Sequence, residues 1–204
     1  MTIFYSMAAF ALAASITPGP VNVVALGSGA RYGLVPSLRH VTGATIGFVV
    51  LLVAVGFGVY ELLQRMPVLM QLIQWFGVAF LLYMAYRLAV DDGELGTAGY
   101  PRDMASPGSQ RGPTMLHGAV MQWLNPKAWL AALAGMGAYT GGDPARIWQF
   151  AAIYFAVCWL SVGCWAAAGA MLRQHLGNPA RVRYLNRGMA ALLAGSAVYL
   201  VVGG

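Results

Sequence analysis

Charged residues are scarce in this chain, and their scarcity indicates its class. Only 9% of the 204 residues are charged, while 59% are hydrophobic. Soluble domains carry about 25% charged residues. Several apolar runs also approach the roughly 20 residues that a helix needs to cross a bilayer. The composition therefore predicts an all-α, polytopic membrane protein surrounded by the lipid bilayer, with no room for a separate soluble domain.

Acidic residues are missing from the apolar runs. All six fall at the ends of runs or between them: Glu61, Asp91, Asp92, Glu94, Asp103 and Asp143. A deep site for a metal cation or a dibasic solute would want fixed negative charge, so neither is expected. Proton coupling is also left without an obvious carrier. His40 and His117 can titrate near neutrality, but both lie near the ends of runs, where an interfacial histidine is the expected interpretation.

The sequence also lacks the motifs of enzymes and nucleotide-driven motors. It has no HExxH, no GxSxG, no P-loop and no Rossmann pattern, so neither an enzyme nor a cofactor is predicted. The net charge of +6 does not predict a nucleic-acid partner, because the basic residues lie where helix-end anchors belong. Cys158 and Cys164, six apart on one helix, point about 120° apart around its axis, which favours packing over a disulfide or a metal pair.

Two polar breaks interrupt apolar runs in the two halves of the chain. The first is Thr17-Pro18-Gly19-Pro20, followed by Asn22, and the second is Asn125-Pro126-Lys127, preceded by Gln122. Proline removes a backbone donor and clashes with the preceding turn. Broken backbone survives in a bilayer only where protein or a water-lined cavity covers it. Paired broken helices are how many transporters build a substrate site.

Six apolar runs are interpreted as membrane spans. They cover roughly 3–27, 40–60, 67–89, 114–139, 147–171 and 184–202. Pro18 and Pro126 are 108 residues apart, and this offset places the second span on the fifth. The single domain 1–204 then divides into a first block (about 1–90), a linker (about 91–113) and a second block (about 114–204). Because each block has three spans, the second enters the membrane from the opposite side, which predicts an inverted repeat.

The distribution of Lys and Arg predicts the orientation. With six spans, nine of the twelve basic residues fall on the side opposite the termini. Two others, Arg65 and Arg146, fall on the terminal side, and Lys127 lies inside a span. By the positive-inside rule the side with nine is cytoplasmic. Both termini are therefore predicted to lie outside a bacterial cytoplasmic membrane.

The residues at the breaks are the candidate binding site. Lys127 lies about 14 residues into the fourth span, where a cation should face a cavity or a partner. Either Lys127 meets an anionic substrate group such as a carboxylate, or it snorkels toward the cytoplasm. Thr17, Asn22, Gln122 and Asn125 offer neutral donors and acceptors suited to a zwitterion. Their alternative role is to cap the interrupted backbone.

Glycines mark the start of the second span. Gly43 and Gly47 form a GxxxG pair, preceded by Gly33. Small residues four apart let helices approach closely, so all three glycines are interpreted as helix-packing positions. They could face a partner chain as easily as a neighbouring helix, so a homo-oligomer stays open.

The two motifs together resemble the lysine exporter and homoserine/threonine efflux (LysE/RhtB) family of bacterial amino-acid exporters. Thr17 to Pro20, then Gly29 to Gly33, then Gly43 and Gly47 look like the family's PGP followed by spaced glycines. Leu124 to Trp129 looks like its second-block NPK motif. TPGPVN and the stretch from Gly163 to Gly169 lean toward the branch with cysteine and O-acetylserine exporters. Phe48 departs from the pattern, because many relatives carry a polar or acidic residue after Gly47.

The resemblance implies a proton-driven secondary exporter of a small amino acid. The residues at the breaks agree with a small, neutral, zwitterionic substrate. Two alternatives stay open. One is a channel or an exporter of another solute or cation on the same scaffold, and the other is a membrane assembly or sensory subunit in which the proline breaks are packing kinks.

Overall fold

The computed structural model of this chain describes residues 2–59, 67–90, 114–172 and 178–202. Within these ranges it has eight α-helices and no strand: α1 Thr2–Ile16, α2 Pro20–Tyr32, α3 Leu34–Ala54, α4 Pro67–Ala89, α5 Met115–Trp123, α6 Pro126–Tyr139, α7 Pro144–Leu172 and α8 Pro179–Val202. The segment Val55–Val59 continues α3 as a π-helical turn. The all-α prediction is confirmed for these residues. The predicted linker 91–113 lies outside them, as do Glu61 and Arg65.

Two of these helices are long and apolar enough to cross a membrane. They are Leu34–Gly58, which is α3 with most of the π turn, and Pro144–Leu172. The pair α1 and α2 makes a third if it counts as one span, with a bend of 63° at the break. Trp75–Ala89 in α4 is a shorter apolar helix. The helices agree with a membrane protein, and six spans remain a prediction.

Some of the helices extend beyond the apolar runs that predict the spans, whereas Pro67–Ala89 matches its predicted span. The first two spans were placed at 3–27 and 40–60, but α2 continues to Tyr32 and α3 already begins at Leu34. Helix continues here because Ser28 and Ser37 are buried and hydrogen-bonded to each other at 2.7 Å, so their polar groups are covered. The fifth and sixth spans likewise begin earlier, at Pro144 and Pro179, since proline suits a first helical turn.

Gly33 turns the chain between α2 and α3. Its φ of 84° and ψ of 175° lie in a region that glycine adopts readily and other residues avoid. It is also the one residue between the two helices. The structure therefore gives Gly33 the role of a turn, and its helix-packing role stays a prediction.

The closest helix contacts join the two blocks. Helix α2 packs on α7, and α5 packs on α3, while α4 pairs with α8. A Cβ on Gly47 of α3 would lie 2.6 Å from the Cα of Ala119 in α5. A Cβ on Gly43 of α3 would overlap Met115, which is also in α5. The structure thus places Gly43 and Gly47 at a helix contact within the chain, as the packing interpretation expects. Buried apolar side chains around α3 and α7 complete this core.

Candidate functional site

The first break separates α1 from α2 by three residues. Gly19 is the N-cap of α2 in an extended conformation, and Pro20 follows in the first helical turn. No side chain caps this helix start. Helix ends leave backbone groups without helical partners, so α1 ends with free carbonyls and α2 begins with free N–H groups.

Side chains from elsewhere satisfy the free carbonyls of α1. The Asn22 Nδ2 donates to the carbonyl oxygens of Ser15 (2.9 Å) and Thr17 (2.8 Å). The Trp165 Nε1 donates to the carbonyl oxygen of Ile16 at 2.9 Å. Among the described residues, the Asn22 Oδ1 has no partner. The amide group of Asn22 therefore caps α1 with one atom and keeps the other available.

The second break is capped by its own asparagine. The Asn125 Oδ1 accepts from the backbone N–H of Lys127 at 3.2 Å, as the N-cap of α6. Its Nδ2 donates to the Gln122 Oε1 at 3.2 Å. Both side-chain atoms of Asn125 are therefore engaged. Of the two roles left open for this residue, the structure places it in the capping one and leaves the Gln122 Nε2 without a partner in the described chain.

Lys127 joins the two breaks. Its Nζ donates to the Thr17 carbonyl oxygen at 2.7 Å, to the Thr17 Oγ1 at 2.6 Å and to the Pro18 carbonyl oxygen at 3.3 Å. An ammonium has three donors, so all three are used. The acceptors lie at the end of α1, where the helix dipole is negative. Lys127 thus points to the first break in the other block, and the two roles considered for it stay predictions.

A small cavity lies where the two breaks meet. Its volume is about 30 Å³, which is room for a water molecule and not for an amino acid. Six helices contribute its lining: Ala14, Ser15, Gly19, Val21, Asn22, Phe48, Gln122, Asn125, Lys127, Ala128, Ala131, Tyr154, Cys158 and Val162. The Ser15 Oγ is buried there and has no hydrogen-bond partner within the part of the chain that the structure describes. Among the described residues that line the cavity, Lys127 is the one charged side chain and there is no carboxylate.

A larger apolar groove adjoins the cavity on the side of α1, α6 and α8. Its volume is about 780 Å³, and Phe10, Leu130 and Leu192 are among its lining residues. Thr17 and Pro18 line the groove alone, Asn22 lines the cavity alone, and Lys127 lines both. The hydrogen bonds from Lys127 to the first break therefore lie between the small cavity and the apolar groove.

The family of this chain follows from a match along nearly its whole length. The family described as LysE type translocator matches residues 12–204, which include both breaks and Lys127. The chain belongs to the LysE family. The resemblance noted in the sequence is thereby confirmed, and LysE membership makes this chain a transporter and not an enzyme.

Individual relatives are similar over nearly the whole chain or over part of it. The chain is 27% identical to the cysteine/O-acetylserine efflux protein of Klebsiella pneumoniae, over 98% of each chain. It is 29% identical to the lysine exporter LysE of Corynebacterium efficiens, over 91% of this chain and 92% of that protein. A cysteine/O-acetylserine efflux protein of Escherichia coli is 32% identical over 39% of this chain. No solved structure matches.

The sequence missed several residues that line the cavity of this LysE protein. Tyr154, Cys158 and Val162 come from α7 at spacings of four, and so lie on one helix face. Phe48 reaches the same place from α3, with its ring centroid 4.4 Å from that of Tyr154. The sequence feature that could have indicated these cavity residues was a tyrosine and a cysteine one turn apart in an apolar helix. Cys158 is buried and Cys164 exposed, as their spacing predicted, but Cys158 also faces the cavity.

The interfacial interpretation of His40 is wrong. His40 is 0% exposed, because α3 begins at Leu34 and carries this residue almost two turns into the helix. Its Nε2 lies 3.3 Å from the carbonyl oxygen of Val21. Within the described residues, no group of three His, Cys, Asp or Glu side chains is placed to hold a metal ion.

Proposed function

We propose that this LysE-family protein is a secondary exporter of a small, neutral amino acid or amino-acid derivative. It would act in the bacterial cytoplasmic membrane and use the proton gradient. The observation that supports the proposal most is the lining of the cavity between the breaks, in which Lys127 is the one charge and the remaining polar groups are neutral.

The cavity groups suit the two ends of a zwitterion. Lys127 would attract the substrate carboxylate, and the uncapped N–H groups at the start of α2 add positive potential at the same place. The Asn22 Oδ1 and the Ser15 Oγ would accept hydrogen bonds from the ammonium group. Gln122 offers one further donor. A second charge on the substrate side chain would find no opposite charge in this lining.

The proposed architecture has six spans in two inverted blocks, with both termini outside. Helices α2 and α6 both start at a break, and in this arrangement α2 runs to the cytoplasm and α6 to the exterior. The substrate site then lies near the bilayer midplane, as in other broken-helix transporters. Two relatives that match over nearly their full length are named as exporters of cysteine, O-acetylserine or lysine, which supports transport of an amino acid.

The contact between Lys127 and Thr17 would act as a gate in this mechanism. All three Nζ donors are used by the first break, so a substrate carboxylate must displace at least one acceptor. Displacement separates α1 from α6 at the edge that the cavity shares with the groove. Because the cavity holds about 30 Å³, binding also requires the two blocks to move apart, as alternating access demands.

Counterflow in proteoliposomes tests the function. Vesicles are preloaded with one unlabelled amino acid from a panel of serine, threonine, homoserine, cysteine, O-acetylserine, leucine and lysine, and uptake of the labelled form is followed. Protein-free vesicles are the control. We expect acceleration by one or two neutral members and none by lysine. Acceleration by lysine alone would refute a neutral substrate, and no acceleration with folded, inserted protein would refute amino-acid export.

A further inference from the structure

Two histidines meet where the two blocks pack against each other. His40 on α3 and His117 on α5 have ring centroids 6.5 Å apart at 79° to each other. His40 is fully buried and His117 is half-buried. The contact between α3 and α5 joins the first block to the second. A titratable pair at this contact is therefore placed where a rocking motion of the blocks would alter its surroundings.

The hydrogen bonding of His40 is incomplete. Its Nε2 donates to the Val21 carbonyl oxygen in the neutral form with a proton on that nitrogen. Its Nδ1 is buried and has no hydrogen-bond partner in the described chain. Leaving a buried polar group unpaired costs free energy, and an apolar side chain would avoid that cost. The free nitrogen is a place where the ring can take up a proton.

His40 is also tied to the substrate site through the backbone. Val21 lies in the first turn of α2, lines the small cavity between the breaks and precedes Asn22. A change in the charge of the ring therefore acts on the element that holds one half of the site. The influence of His40 on the substrate would therefore pass through α2.

The other titratable groups on the neighbouring helices contact residues other than His40 or are exposed. Cys158 contacts Thr45, Tyr154 stacks on Phe48, Lys127 is bound to Thr17, Arg31 lies over Tyr32 and Arg146 pairs with Asp143. Tyr139 contacts Ser6, and Arg39 and Cys164 are exposed. His117 is the titratable side chain in ring contact with His40 among these helices.

We propose that His40 and His117 carry the coupling proton of this exporter, an inference that rests on the proposed function. A proton from the outer side binds the Nδ1 of neutral His40, and the ring then holds two N–H groups and one positive charge. It passes by way of His117, which is nearer the surface, to the cytoplasm. The His40 ring returns to its neutral form. Each cycle moves a proton inward and a substrate outward, with no other reactant.

The experiment separates exchange from proton-driven transport in the same proteoliposomes. Counterflow at equal pH on both sides needs no net proton movement, whereas accumulation under an imposed pH gradient does. Both are measured for the unchanged protein, His40→Gln and His117→Gln, with whichever panel amino acid is exchanged by the unchanged protein. Ser37→Ala is the matched control, because it removes a buried polar group from α3 without removing a titratable one.

We expect both histidine variants to keep counterflow and to lose accumulation driven by the pH gradient, while Ser37→Ala keeps both. Accumulation that persists in both histidine variants would overturn the proposal. Loss of counterflow and accumulation together in folded protein would also overturn it, by making the pair structural. If His40→Gln does not fold, the result for His117→Gln, at a half-buried position, decides whether the proposal holds. Absence of counterflow in the unchanged protein would instead refute the proposed function.

Discussion

At the scale of single residues, Lys127 shows how a cation is kept inside an apolar protein without a carboxylate. Two backbone carbonyls and a hydroxyl replace the water that its ammonium loses. Such neutral acceptors hold the ammonium less firmly than a carboxylate would, because a carboxylate adds the Coulomb attraction between opposite charges. In the proposed mechanism a substrate carboxylate would therefore be able to compete for the ammonium, which a fixed Asp or Glu partner would oppose.

This argument predicts that Lys127→Met abolishes counterflow. The variant keeps the length of the side chain but removes the charge that would attract the carboxylate. Arg146→Met is the matched control, because Arg146 is an exposed cation paired with Asp143 at 3.7 Å, and exposed pairs contribute only about 0–1 kcal/mol. Counterflow is measured at equal amounts of inserted protein. Undiminished exchange by Lys127→Met would refute the substrate role of Lys127.

Phe48 is predicted to limit the size of the substrate. It is 3% exposed and packs against Tyr154 in the cavity lining. Phe48→Leu gives the site room, and one methylene in such a pocket is worth about 1–3 kcal/mol of discrimination. We expect counterflow with leucine to rise relative to serine by about tenfold, which corresponds to 1.4 kcal/mol. Phe57→Leu, at an exposed position, should leave the ratio unchanged. An unchanged ratio in Phe48→Leu would exclude this position as a size filter.

At the scale of helices, the sequence predicts the breaks but not how their ends are satisfied. Proline has no N–H and cannot continue a helix, so both breaks follow from the local sequence. Which carbonyl binds Asn22, Trp165 or Lys127 depends on residues more than 100 positions away for two of the three. Capping and ligand binding use the same atoms, so the residue types alone could not assign Asn125 to the cap.

The ends of the helices and the contacts between them could not be predicted from the sequence for a related reason. Hydropathy reports apolar runs, and α2 continues past its run because Ser28 and Ser37 satisfy each other. The GxxxG pair at Gly43 was visible locally. Gly29 lies against the backbone of Ala166, and Gly169 lies against the backbone of Leu26, so these contacts join residues 137 and 143 positions apart. No spacing within one helix predicts them.

This second glycine contact makes a prediction about stability. A Cβ on Gly169 would lie 2.8 Å from the carbonyl carbon of Leu26 on α2, whereas a Cβ on Gly163 of the same helix meets nothing within 4 Å. Gly169→Ala should therefore lower the apparent melting temperature of the purified protein, since overpacking costs about 1–3 kcal/mol. Gly163→Ala is the matched control and should not. Equal melting temperatures would show that α2 and α7 are not in backbone contact.

At the scale of the whole molecule, the packing is unequal on the two sides of the breaks. The contacts of α2 with α7 and of α5 with α3 bring backbones together at glycines. On the other side, the groove of about 780 Å³ separates α1 and α6 from α8. In the proposed orientation the first set is cytoplasmic and the groove is external. With that orientation the arrangement would be closed inward, and breaking the Lys127 contact would open the site outward.

The orientation itself is testable at two equivalent positions of the blocks. Val35 and Ala145 lie in the first turns of α3 and α7, and both are exposed. An inverted repeat places them on opposite sides of the membrane, because each block has an odd number of spans. The positive-inside rule then places Val35 in the cytoplasm and Ala145 outside.

The measurement uses single cysteines in a background with Cys158→Ala and Cys164→Ala. A membrane-impermeant maleimide should label Ala145→Cys in intact cells and Val35→Cys only after permeabilisation. The reverse pattern would keep the inverted repeat and overturn the orientation, and with it the direction in which the gate opens. Labelling of both from the same side would overturn the inverted repeat. The orientation and the inverted repeat are thereby tested separately. The predicted orientation depends on the distribution of Lys and Arg, whereas the predicted inversion depends on the number of spans in a block.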